Sequence, residues 1–127
     1  MTDKELINKA IEAKSNAYAP YSRFKVGAAL LTESGKVYTG NNIENISYGA
    51  TNCAERTAVF KAVSEGERKI KAIAITSDSE GLIFPCGICR QVLAEFGGKD
   101  TRILCSSNKG DYQVFTLDEM LPNWFKV

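Results

Sequence analysis

The sequence predicts an α/β protein: one domain over residues 1–127, a three-layer α-β-α arrangement with a mixed sheet of about five strands and helices on both faces. Three observations predict it. Stretches of helical period alternate with short apolar runs, in the order helix, hairpin, helix, strand, helix, strand, strand, helix. The part from Val37 to Cys105 reads β-α-β-α-β, and a strand–helix–strand connection can build the parallel pairs that a hairpin cannot. A chain of 127 residues can bury one core without disulfides, and no linker or internal repeat divides this one.

Each element has a local reason. Asp3 can cap a first helix, in which Leu6, Ile7, Ala10, Ile11 and Ala17 recur at helical spacing to about Tyr18, before Pro20 stops it. Phe24 to Leu31 reads as a strand, Glu33-Ser34-Gly35-Lys36 as a hairpin turn and Val37 to Gly40 as the returning strand. Asn41 to Asn52 is polar and aperiodic, a loop of the kind that carries binding groups. A compact helix starts at Asn52 or Cys53 and ends at Gly66. Ile70 to Ile75 is mostly apolar and reads as a buried strand, followed by a loop over Asp78 to Phe84. A third helix starts near Cys86 and stops at Gly97-Gly98. Arg102 to Cys105 and Tyr112 to Phe115 are two more strands, and Thr116 caps a last short helix that Pro122 ends.

Composition excludes several classes. The 16 basic residues are matched by 15 acidic ones and are scattered, so the basic stripe of a nucleic-acid binder is missing. Met1 to Lys14 carries mixed charge and no apolar segment of signal-peptide type, and no apolar run approaches the ~18 residues of a membrane helix, so a soluble, cytoplasmic protein is expected. There is no histidine, which removes Ser-His-Asp and Cys-His catalysis and leaves thiolates and carboxylates as metal ligands.

The four cysteines then carry the argument. Cys53-Ala54-Glu55 and Pro85-Cys86-Gly87-Ile88-Cys89 each fall at a predicted helix N-terminus, where free N–H groups and the helix dipole stabilise thiolates. Residues three apart in a first helical turn point to one side, so Cys86 and Cys89 can hold one ion, with Cys53 as a third ligand. Zinc usually takes four ligands, and a site with three protein ligands keeps a place for a water whose pKa the metal lowers to ~7. Glu55, two residues from Cys53, is placed to move that water's protons. Three thiolates give the ion excess negative charge, and Arg56 and Arg90 are candidates to donate to the sulfurs and offset it. Plainer readings compete: a closed structural zinc would need Cys105 as fourth ligand, although its apolar run makes it a buried strand residue. A thiol-redox role for Cys86 and Cys89 would leave Cys53 and Glu55 unexplained.

These motifs resemble the zinc-dependent nucleoside and nucleotide deaminases, with their Cys-x-Glu and Pro-Cys-x-x-Cys signatures. The three-thiol version is similar to the small, homotetrameric class of cytidine deaminases. The stretch from Ala17 to Ala29 looks like that family's opening motif, and Asn42-Ile43-Glu44-Asn45 like its ribose-binding stretch. The resemblance implies one zinc per subunit on Cys53, Cys86 and Cys89, with Glu55 as the proton shuttle for attack of zinc-bound hydroxide at C4 of the pyrimidine. It implies base contact by the Ala54 N–H, packing of Phe24 near the base, and ribose binding by Asn42 and Glu44. Phe125 would reach a neighbouring subunit's site, and Tyr48 would close the same interface. The implied activity is hydrolysis of cytidine and 2′-deoxycytidine to the uridines in pyrimidine salvage. Alternatives are a deaminase of a cytosine-containing antibiotic of blasticidin type, or a non-catalytic zinc module.

Overall fold

The computed structural model describes residues 1–127. Helix α1 (Asp3–Lys14) is capped by Thr2, whose hydroxyl accepts from the Glu5 amide at 3.2 Å, rather than by Asp3. Either residue type caps well. The shift by one places Asp3 inside the helix, where its carboxylate takes both guanidinium arms of Arg102 at 2.8 Å. The helix stops at Lys14, short of Tyr18, because the Tyr18 amide donates instead to the Asn42 carbonyl at 2.9 Å.

Strand β1 (Val26–Thr32) begins two residues later than the apolar run suggests, since the backbone around Phe24 is held by the Asn42 side chain and not by a ladder. Strand β2 (Val37–Asn41) returns from the hairpin. After a short 3-10 turn at Tyr48–Ala50 come α2 (Ala54–Ser64), β3 (Ile70–Ser77), α3 (Gly87–Phe96), β4 (Arg102–Ser106), β5 (Tyr112–Thr116) and α4 (Leu117–Met120). The strands order as β2-β1-β3-β4-β5, with β3 and β4 parallel and every other pair antiparallel. The predicted mixed five-stranded sheet is therefore the observed one.

Strand parity sorts the core into two layers. Ala29, Ala72, Ala74 and Leu104 face Leu6, Ile7 and Ala10 of α1. Their neighbours Ala28, Leu30, Ile73, Ile75, Ile103 and Cys105 face the other way, against Ala58, Val59 and Ala62 of α2, Leu93 of α3 and Leu117 of α4. One glycine sets how closely a helix lies on the sheet: a Cβ on Gly40 of β2 would stand 2.5 Å from the Ala58 nitrogen and 2.6 Å from the Ala54 carbonyl.

The topology also fixes where the helices begin. Strands β2 and β3 are both antiparallel to β1 and so run in the same direction. The chain leaves both at one end of the sheet and enters α2 and α3 there, on the same face. Crevices outside the carboxyl ends of strands are where α/β sheets place ligands.

Candidate active site

Cys53 is the N-cap of α2 and Cys86 the N-cap of α3, both in extended conformation. An extended residue ahead of a helix turns its side chain toward the first amides, and Cys86 Sγ accepts from the Cys89 N–H at 3.5 Å. The sulfurs of Cys53, Cys86 and Cys89 all lie within 4.8 Å of one another, and those of Cys53 and Cys86 are 3.9 Å apart. Two sulfurs each ~2.3 Å from a tetrahedral zinc stand ~3.8 Å apart, so this spacing fits that ion. Cys105 is not in the cluster; it is fully buried in β4, and burial pushes its thiol up to about 12. A closed four-thiol site is therefore not what the fold assembles.

The electrostatics favour thiolate at Cys53. The contact with the Cys89 thiol, opposed by burial and reinforced by Arg56, pulls Cys53 down to about 5. The same contact, together with burial, drives Cys89 upward, so without metal the pair holds its negative charge on Cys53. Arg56 lies three residues along α2 and donates from Nη2 to Cys53 Sγ at 3.2 Å. Its Nε is the one buried side-chain polar atom without a hydrogen-bond partner, so the sulfurs and not an oxygen set the guanidinium's position. Glu55 is 5% exposed, and burial pushes its carboxyl up to about 7, with the neighbouring Cys53 thiolate adding to the rise. A carboxyl poised near neutrality can both take and give a proton.

Arg90 behaves differently from the expectation that it donates to sulfur. Its Nε donates to the Pro85 carbonyl at 2.8 Å and its Nη1 to the Met120 carbonyl at 2.7 Å. An arginine one residue beyond Cys89 is carried round the helix toward α4, whereas Arg56 is one helical turn from its own N-cap sulfur.

Beside the thiols lies a cavity of about 290 Å³. Phe24, Asn42, Glu44, Cys53, Ala54, Glu55 and Cys86, all singled out from the sequence, share its wall. Sequence reasoning missed Val26, Ile83 and Phe84, which are among its apolar lining residues. The position of Ile83-Phe84 just ahead of Pro85-Cys86 was the available signal, since a loop entering a helix at a sheet's end must pass the crevice. Asn42 and Glu44 also have protein partners. The Asn42 amide donates to the Phe24 carbonyl at 2.8 Å and accepts from the Val26 N–H at 2.9 Å. The Glu44 carboxylate accepts from the Tyr21 and Ser22 amides at 2.9 and 3.1 Å and from the Ser22 hydroxyl, which holds it below the usual carboxylate range.

Tyr48 and Phe125 are not on this wall. Tyr48 stacks edge-on against Tyr21, with centroids 6.1 Å apart, over an adjoining cavity. Phe125 is on the surface, its carbonyl held by Gln91 Nε2 at 3.2 Å. The largest concavity, about 700 Å³, lies at the opposite end of the sheet among Lys69, Lys71 and Lys99, away from every thiol of the cluster.

Fold and site together define a zinc-dependent hydrolytic enzyme. Residues 1–105 match the cytidine and deoxycytidylate deaminase zinc-binding region. A cytidine deaminase from Halalkalibacterium halodurans is 54% identical over 125 residues, covering 98% of this chain and 95% of that one. The structure of cytidine deaminase from Burkholderia pseudomallei superposes with a TM-score of 0.94 at 48% identity, over 98% of this chain and 100% of the other. That from Mycobacterium tuberculosis gives 0.87 at 40% identity, over the full length of both. A blasticidin-S deaminase from Bacillus cereus is 30% identical over 128 residues, covering 94% of this chain and 89% of that one. The chain belongs to the cytidine and deoxycytidylate deaminase family.

Proposed function

We propose that the chain is a single-domain cytidine deaminase, hydrolysing cytidine and 2′-deoxycytidine to uridine and 2′-deoxyuridine with release of ammonia. The observation that carries this reading is a cluster of three sulfurs, two of which share the wall of a single cavity with one buried carboxyl, in a chain of this family. The higher identity to cytidine deaminases than to the blasticidin-S enzyme places the nucleoside ahead of the antibiotic as substrate.

Cys53, Cys86 and Cys89 would hold one zinc per subunit. Zinc bound there would supply Lewis-acid activation of a water. Glu55, whose carboxyl burial raises to about 7, would carry protons from the attacking water to N3 of the ring and to the departing amine. Arg56 keeps the Cys53 sulfur anionic by donating to it. The Ala54 N–H faces the base, and Phe24 packs beside it. Asn42 and Glu44 bind the ribose hydroxyls from positions already fixed by their bonds to the Tyr21–Val26 backbone, which supports a preorganised subsite. The Glu44 carboxylate also disfavours a phosphate at that end, so nucleosides are preferred over nucleotides. Equal efficiency on cytidine and its monophosphate would sink that preference.

We also propose a homotetramer, in which Phe125 and Tyr48, 78% and 76% exposed, are covered by neighbouring subunits next to their sites. We place the activity in cytoplasmic pyrimidine salvage, and the balanced, scattered charge supports a chain without nucleic-acid partners; no helix is long and apolar enough to cross a membrane. The test is the loss of cytidine's ultraviolet absorbance with zinc-assayed protein, beside Glu55→Gln. Loss with wild type alone supports the reading, while zinc-loaded wild type that leaves cytidine and deoxycytidine untouched overturns it.

A further inference from the structure

The Arg90 guanidinium joins two parts of the chain that otherwise have separate duties. Its Nε holds the carbonyl of Pro85, the residue before Cys86, while its own backbone N–H holds the Cys86 carbonyl at 3.0 Å. The two peptide oxygens on either side of the Cys86 backbone entry are thus both claimed by one residue. Its Nη1 holds the carbonyl of Met120, the last residue of α4. Beyond Met120 the segment 121–127 has no regular structure except a turn. Leu121 and Trp124 of this segment pack against the core, and Gln91, next to Arg90, holds the Phe125 carbonyl. Consecutive residues of α3 therefore grip both ends of the stretch from Met120 to Phe125.

The partners are unusual for an arginine. The chain has two salt bridges, Lys14–Asp78 and Arg102–Asp3, and Arg90 is in neither. A permanently charged, half-buried fork with rigid donor geometry is directed at two neutral carbonyls. A charge without a carboxylate partner is a poor staple on its own account. What it fixes instead is backbone, at the entry to Cys86 and at the end of α4.

We propose that Arg90 is a positioning residue that couples metal retention at Cys86 to docking of the C-terminal segment 121–127, so that each stabilises the other. The inference rests on the reading that Cys53, Cys86 and Cys89 hold zinc. Coupling of this kind is reciprocal: a segment that tightens the site must be tightened by its metal. It brings Phe125 under the control of the metal loop of its own chain.

Trp124 is the only tryptophan and lies in the coupled segment, so its fluorescence reports docking directly. Zinc-loaded wild type is treated with a chromophoric chelator, and zinc release and Trp124 emission are followed together. Emission is expected to shift red as zinc leaves. In Arg90→Ala, zinc should leave at least tenfold faster, and the emission should already have its metal-free value and stay there. Arg90→Lys keeps the charge but cannot hold two carbonyls in a fork, so it should behave like Arg90→Ala. Should Arg90→Ala fail to fold, Arg90→Lys and the cobalt-substituted protein's sulfur-to-metal absorption carry the test. Wild type with stoichiometric zinc but no emission change on chelation overturns the proposal alone, as do Arg90 variants that release zinc at the wild-type rate. Wild type that takes up no zinc overturns the metal-site reading, and this proposal with it.

Discussion

The starts of α2 and α3 offer the thiol cluster similar equipment and use it differently. Each places a cysteine at the N-cap and an arginine within the next turn or so. At α2 the following residues are buried, Ala54 completely and Glu55 nearly so, and Arg56 donates to sulfur. At α3 the following residues Gly87 and Ile88 are exposed, the first turn has no acid, and Arg90 donates to carbonyls. The difference follows from the sheet beneath. Helix α2 is pressed on β2 at Gly40, which draws its first turn inward, while α3 opens at Gly87, where a Cβ would meet nothing, and turns its first residues outward. Chemistry belongs to the buried start and anchorage to the exposed one.

The largest test of that division is Glu55→Gln. It keeps size and burial and removes the proton carrier, so turnover should fall by ~10²–10⁴-fold or more with zinc content unchanged. Ile88→Ala, one residue past Gly87 on α3, should leave kcat within about twofold, because an exposed side chain off the cavity wall contributes nothing to proton transfer. Equal kcat losses for the two variants would erase the distinction between the helix starts.

The second test uses pH on the metal-free protein. The Glu55 carboxyl is raised from 4.5 to about 7 by burial. The folded state thus binds its proton more tightly than the unfolded state, and folding loses stability as pH rises from about 4.5 to about 7, then levels off. At ~1.4 kcal/mol per unit, the ionised carboxylate costs about 3 kcal/mol above that range. Metal-free Glu55→Gln should therefore outlast wild type in urea at pH 8 by roughly this amount and lose the advantage near pH 4.5. The same advantage at both pH values would mean that burial of charge is not the cause.

How much of this was legible in the sequence differs along the chain. Element order, sheet composition and the grouping of three thiols follow from local signals: period, caps and Cys-x-x-Cys spacing. The N-cap identity at Thr2 and the start of β1 were off by one or two residues, because equally good caps adjoin there and because the Asn42 amide takes over the backbone at Phe24 and Val26. The target of Arg90 was not legible. A long flexible side chain can reach several partners, and the carbonyl it chose belongs to Met120, thirty residues on. Ile83 and Phe84 were hidden for a related reason: a loop without period shows which residues it holds, not which way they face.

Two glycines give the smallest and sharpest comparison. A Cβ on Gly40 meets backbone atoms of α2 at 2.5 and 2.6 Å, which cannot swing aside, so Gly40→Ala must shift the helix. The expected cost is ~1–3 kcal/mol in urea unfolding, with weaker zinc retention because Cys53 moves with the helix it caps. Gly87 opens α3 between Cys86 and Ile88, and a Cβ there meets nothing within 4 Å. Its φ is not in the left-handed region, so alanine fits without strain and removes some freedom from the unfolded chain. Gly87→Ala should be neutral or stabilising by up to ~1 kcal/mol, with zinc retention unchanged. If Gly87→Ala instead released zinc as readily as Gly40→Ala, the outer start of α3 would be as tightly fitted as the inner start of α2. The buried-against-exposed contrast would then no longer explain which helix carries the acid.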